Sequence, residues 1–151
     1  MLRLALVLAA CCALARPSVA AAPAGAPDRV EVAAAKTSIY VGSVTLTMPA
    51  FVRKDGVYES TYAAKVLPYF FANESGRLAI EMSDAQLARL TRGETVDFTG
   101  RGIRADGVER RVEGRATPAD GASGKLKVRV FVSRRTELIF NTTYRFPQAA
   151  Q

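Results

Sequence analysis

Lys125-Leu126-Lys127-Val128-Arg129-Val130-Phe131-Val132 puts Leu126, Val128, Val130 and Val132 on one side of an extended chain and Lys125, Lys127, Arg129 and Phe131 on the other. Successive side chains of a strand point to opposite faces, so this alternation predicts a strand with one apolar and one charged face. Downstream, Glu137 to Phe146 repeats the rule. Leu138, Phe140, Thr142, Tyr144 and Phe146 fall on one face, and Glu137, Ile139, Asn141, Thr143 and Arg145 on the other. Ser133-Arg134-Arg135-Thr136 between them is short enough for a hairpin turn.

Working upstream, Asp106-Gly107 separates Thr95–Ile103 from Val108–Ala116, and Asp55-Gly56 separates Ala50–Arg53 from Val57–Val66. Asp-Gly accepts the positive φ of a type I′ turn, so each pair of segments is expected to be antiparallel. Asn73-Glu74-Ser75-Gly76 is expected to turn the chain from Tyr69–Phe71 into Arg77–Met82, and Asp120 to Gly124 to form a longer connection into Lys125. Val30–Thr47 is apolar enough for two strands broken near Gly42. The exception is Ser83 to Gly93. Ser83 can cap a helix, Gln86 completes a capping box, and Met82 and Leu87 stand at staple positions. Asp84 and Arg89 suit the two ends of the helix dipole, and Gly93 suits a left-handed residue after the helix, which predicts a helix over Asp84–Thr91. The expected fold is all-β with one short helix: an antiparallel β-barrel or β-sandwich of about seven to nine strands.

At the other end of the chain, Met1 to Ala20 reads as an export signal, with Arg3, an apolar run from Leu4 to Ala15, and small residues at Pro17-Ser18-Val19-Ala20 where a signal peptidase would cut. The run is short for a membrane span of about 20 residues, and Arg16 and Pro17 break it. Leu8-Ala9-Ala10-Cys11 resembles a lipobox, so lipidation at Cys11 with anchoring to a membrane is the alternative to plain export into the periplasm or medium. The expected organisation is a cleaved signal at 1–20, a flexible Ala/Pro linker at 21–28, one β domain at 29–147, and a disordered tail at 148–151. A domain of about 120 residues can bury a core without disulfide staples.

Both cysteines, Cys11 and Cys12, lie in the leader and the chain has no histidine. A mature form lacking the leader has no Ser-His-Asp triad, no Cys-His pair and no histidine-ligated zinc or haem. No serine is followed by lysine three residues on, and no GxxxxGK[ST] loop is present. Gly100-Arg101-Gly102-Ile103-Arg104-Ala105 matches G-x-G-x-x-A, but Asp106-Gly107 leads into a strand where a dinucleotide fold needs a helix; the two glycines are expected instead to let the strand bend or bulge. Carboxylates are the remaining catalytic option, with Glu59, Glu74, Glu81, Glu94 and Asp97 as candidates. No cofactor or metal is expected.

Charge is uneven. From Ala21 to Gly100, 8 Lys/Arg stand against 9 Asp/Glu, net −1; from Arg101 to Gln151, 11 stand against 5, net +6. Lys125, Lys127 and Arg129 share one strand face, and Arg111 and Arg115 belong to the same basic series. Such a face suits anionic polysaccharide or lipid headgroups, and equally a solvated face paired with Glu109, Glu113 and Glu137. Nucleic acid is not the expected partner. Val66-Leu67-Pro68-Tyr69-Phe70-Phe71 is the second binding candidate. Three consecutive aromatics cannot share one strand face, so at least one lies off the core, lining a ligand cavity, touching a membrane or packing under a loop.

The stretch Thr95–Ala116, a strand ending in glycine, a turn and an Arg/Val strand, resembles part of the lipid-binding YceI-like periplasmic barrels over about twenty residues; a helix between strands is similarly like an OB-fold. Generic hairpin features carry both likenesses, and neither transfers a site or a function. The leading expectation is an exported, non-catalytic β domain of the bacterial cell envelope, binding or structural, that contacts anionic polymer or lipid through its basic face. The alternatives are a lipocalin-like carrier of an apolar ligand, whose cavity would take in some of Tyr69, Phe70 and Phe71, and a carboxylate-dependent glycosidase.

Overall fold

The computed structural model describes residues 25–147; the expected leader, the Cys11 lipidation site and the expected tail lie outside the described residues. Ten strands run β1 (Arg29–Val32), β2 (Ala35–Ile39), β3 (Gly42–Thr47), β4 (Phe51–Lys54), β5 (Val57–Leu67), β6 (Glu74–Glu81), β7 (Val96–Arg104), β8 (Glu109–Pro118), β9 (Ser123–Phe131) and β10 (Glu137–Arg145). Helix α1 (Asp84–Thr91) connects β6 to β7. Every ladder is antiparallel. Strands β4 to β10 and β1 close into an eight-stranded barrel through the β5–β6 pairing, and β2 and β3 are two additional strands. The long β5 is shared, with β4 on its first half and β3 on its second.

The alternation read from 125–132 and 137–146 holds along the whole length. Leu126, Val128 and Val130 face inward opposite Thr142, Phe140 and Leu138, while Lys125, Lys127 and Arg129 face out. Asp55 (φ 52°) and Gly56 (φ 80°) both take positive φ, as the type I′ turn requires. Asp106-Gly107 also joins an antiparallel pair, but only Gly107 has positive φ, and its N–H donates to the Arg104 carbonyl. That is a longer turn with the glycine in the left-handed position.

Helix α1 starts as its sequence predicts. The Gln86 backbone N–H donates to Ser83 Oγ at 3.2 Å, the Ser83 backbone N–H donates to Gln86 Oε1 at 2.8 Å, and Gly93 takes φ 86° after the helix. Leu87 and Leu90 turn into the barrel beside Met82, so the helix forms a floor across one end. Arg53 of β4 fixes that floor by donating to the Met82 carbonyl at 3.0 Å and pairing with Asp84 at 2.8 Å.

Three expectations need correcting. Val30–Thr47 holds three strands, with an extra break at Ala33-Ala34 before the expected one near Gly42. Tyr69–Phe71 is no strand: Phe70–Ala72 is a 3-10 turn, and the supposed turn residues Glu74, Ser75 and Gly76 are the first of β6. The reason is cross-strand, since Glu74, Ser75 and Gly76 find ladder partners in Ala64, Ala63 and Tyr62. Finally, Gly100 and Gly102 introduce no bulge. The β6–β7 and β7–β8 ladders run unbroken through them, and at Gly100 the missing side chain leaves room for Ile80.

The floor half of the barrel is filled by aromatics seated on glycines. Phe98 lies directly across the ladder from Gly114 and Tyr144 from Gly124, and each ring occupies the space that a Cβ on its glycine would take. Tyr62 and Gly76 repeat the device nearer the other end. Around these rings pack Phe51, Tyr58, Val96 and Ala116.

Candidate functional site

Above that floor a second cluster, Ala35, Val44, Leu46, Tyr62, Ala64 and Phe140, packs along the wall without filling the centre. It leaves a cavity of about 430 Å³ along the barrel axis. Val44, Leu46, Val66, Leu78, Val112, Val130 and Leu138, from six of the strands, are among the residues around it. Val130 and Leu138 point inward and pack against the second cluster, yet stay only half-buried where they border the cavity.

At the barrel's mouth, the end opposite α1, the lining reaches Ala72, Glu74, Arg104, Arg110, Val132 and Thr136, beside the turn joining β2 to β3 and the connections β5–β6, β7–β8 and β9–β10. A polar group stands at this mouth. Arg110 grips Glu74 with two bonds, Nε to Oε1 at 3.2 Å and Nη2 to Oε2 at 2.8 Å, and its Nη1 donates to the Val132 carbonyl at 2.7 Å. Tyr62 Oη donates to Glu74 Oε1 at 3.1 Å, and Arg104 stands 3.8 Å from Glu74 while also pairing with Asp106. The Arg110 side chain is 10% exposed. A forked guanidinium on a carboxylate with its remaining donors satisfied is a rigid arrangement, suited to holding the rim of an opening in shape.

Burial pushes the Tyr62 phenol up to about 12, with the Glu74 carboxylate adding to the effect, and burial does the same to Tyr58, whose hydroxyl donates to the Pro27 carbonyl. In the unfolded chain both titrate near the ordinary value of 10.0. The fold therefore holds these protons more tightly, and the stabilisation is complete below pH about 10 and is lost as pH rises through about 12. The denaturation midpoint is expected to fall across that window, and less steeply in Tyr62→Phe. Tyrosinate absorbance showing every phenol of the folded protein ionising near 10 would contradict this.

The structure separates the residues that the sequence brought forward. Lys125, Lys127, Arg129, Arg111 and Arg115 all lie on the outer surface, away from the cavity. They do not make a purely cationic face. Arg115 pairs with Asp97 at 2.6 Å, Arg129 with Glu137 at 3.5 Å, and Arg111 with Glu113 while stacking over Phe131. Glu81, Asp97 and Glu113 interleave with Arg115, Lys127 and Arg129 around a shallow outer groove, so the charges there largely balance. Tyr69, Phe70 and Phe71 do not line the cavity and pack under no loop; they stand exposed beside its mouth. Glu74 is the one carboxylate among the cavity-lining residues, while Glu59, Glu81, Glu94 and Asp97 lie outside.

Sequence reasoning missed the mouth group. Strand phase carried a signal for it, since Arg110 is in step with the inward Val112, Gly114 and Ala116, and Arg104 with Val96, Phe98 and Gly102. Compared with protein families, with characterised proteins and with solved structures, the chain matches none.

Proposed function

We propose that the protein is a carrier that takes an apolar or amphipathic ligand of lipid size into its barrel. The observation that carries this reading is the 430 Å³ space bounded almost wholly by aliphatic and aromatic side chains. It falls within the roughly 300–1,000 Å³ of small-molecule sites. Water inside so apolar a space finds few hydrogen-bond partners, and the side chains that face it lack packing contacts. An apolar occupant recovers those contacts. Arg104 at the mouth, whose Nη1 comes no closer than 3.8 Å to Glu74, supplies a donor for the polar end of an amphipath, and the apolar run lies below it.

The reading is non-catalytic. The cavity's carboxylate, Glu74, is already engaged by Arg110 and Tyr62, and the leader expected at 1–20 directs the carrier to the bacterial envelope. All eight strands of the closed barrel, the two additional strands and both core clusters lie within residues 25–147, so a chain of those residues is expected to close the barrel on its own. Native mass spectrometry of that chain after mild extraction is expected to show a lipid-sized adduct that is lost on denaturation. The same chain, stripped, is expected to take up cis-parinaric acid with a rise in fluorescence. A bare mass together with no uptake of the probe would refute the carrier reading.

A further inference from the structure

The large apolar side chains that stand exposed are not scattered. Tyr40 and Val41 form the tip between β2 and β3; Leu67, Tyr69, Phe70 and Phe71 form the connection between β5 and β6; and Val108 lies in the turn between β7 and β8. All seven are at the mouth end, and among the described residues only Val52 of the large exposed hydrophobics lies elsewhere. Tyr40 is fully exposed and Phe71 88% exposed, values reached when a side chain projects from a loop. The two main loops are neighbours, because Ser43 pairs with Leu67 and the glycine between them, Gly42, lies against the Leu67 carbonyl and Pro68. Tyr69 and Phe71 brace each other edge to face with ring centroids 5.7 Å apart.

A monomeric surface rarely concentrates apolar groups in this way without a partner. The partner is indicated by the fourth connection at this end. Arg134 and Arg135 in the β9–β10 turn are exposed and form no ion pair among the described residues. Projecting aromatic and aliphatic side chains beside unpaired arginines match a bilayer surface, where rings sit at headgroup depth and cations meet anionic lipid. We infer that the mouth end docks on an anionic lipid bilayer, with Tyr40, Val41, Phe70 and Phe71 entering the interface and Arg134 and Arg135 on the headgroups. In that pose the cavity opens onto the membrane, so an apolar ligand passes between bilayer and barrel without crossing water. This direction of transfer rests on the carrier reading; the docking itself does not.

The test is flotation of the 25–147 chain with phosphatidylglycerol–phosphatidylcholine vesicles and with phosphatidylcholine alone, scored beside cis-parinaric acid uptake in vesicle-free solution. The unsubstituted chain is expected to float with the anionic vesicles. Phe70→Ser with Phe71→Ser, and separately Arg134→Glu with Arg135→Glu, are expected to lower the bound fraction about tenfold, while leaving probe uptake and the thermal midpoint unchanged. Vesicle binding without probe uptake would sustain docking and sink the carrier reading; probe uptake with no flotation, or with equal flotation of all three proteins, would overturn docking and leave the carrier standing. A dimer abolished by the Phe70/Phe71 change, with no vesicle binding, would assign the patch to a second copy and likewise overturn the inference.

Discussion

Gly114→Val is expected to cost the protein about 3 kcal/mol or more, the upper end of what an overpacked core loses. A Cβ at this position would lie 2.1 Å from Phe98 Cζ and 2.5 and 2.8 Å from the two Cε atoms of the ring. Phe98 is buried with Val96, Ala116, Leu87 and Leu90 above a helix tied down at Ser83 and Arg53, so the ring can yield only toward the cavity it borders, at the expense of those contacts. The penalty should therefore shrink when the ring is shortened. Urea denaturation of Gly114→Val, Phe98→Leu and the double variant closes a cycle, and the double variant is expected to be more stable than the two single losses predict. Strict additivity would show that the ring does not rest on the glycine.

Val130→Trp adds more atoms than Gly114→Val and is expected to do the opposite. Val130 faces the cavity, opposite Val112 and Leu138, and is not fully covered. An indole placed there enters open volume, so the fold should keep its stability or gain up to about 2 kcal/mol, as filled cavities do. Ligand capacity should collapse. Affinity for cis-parinaric acid is expected to fall about a hundredfold, equivalent to about 2.7 kcal/mol. A variant that folds and still binds the probe with unchanged affinity would place the ligand outside the barrel. The two substitutions together map where the barrel is solid and where it is hollow.

That distinction is the part of the molecule the sequence conceals. The alternation of 125–132 and 137–146 carried strand, phase and face, and all of these appear in β9 and β10, because period-2 patterning is local information. The helix was equally legible, since its cap, staple and terminal glycine lie within the twelve residues Met82 to Gly93. Asn73 to Gly76 misled for the opposite reason. Its composition is that of a turn, yet Gly76 is needed in a strand as the seat of the Tyr62 ring, a requirement set by a residue fourteen positions away. The mouth group depends on Glu74 meeting Arg110 across 36 positions, which no local pattern encodes. Hollowness is less local still. It arises where valines, leucines and glycines from many strands face one axis and their summed volume falls short of the barrel's width. The outer face carries Lys125, Lys127 and Arg129 as strand phase predicts, while the partners of its arginines, Asp97, Glu113 and Glu137, were less legible because two of the three pairs form between strands.

The pairing of β1 with β10 has a consequence for how the molecule comes into being. Glu31 sits opposite Arg145, so the first strand of the barrel waits for the last one, 114 positions later. Up to that point the chain can form hairpins, each with an unsatisfied edge, but no closed surface. Ordering so distant a pair carries a large loop-closure cost before any contact repays it, which makes assembly slow relative to a helical domain of this size. Under the export expected from a leader at 1–20, this would keep the barrel from closing until its final strand has crossed.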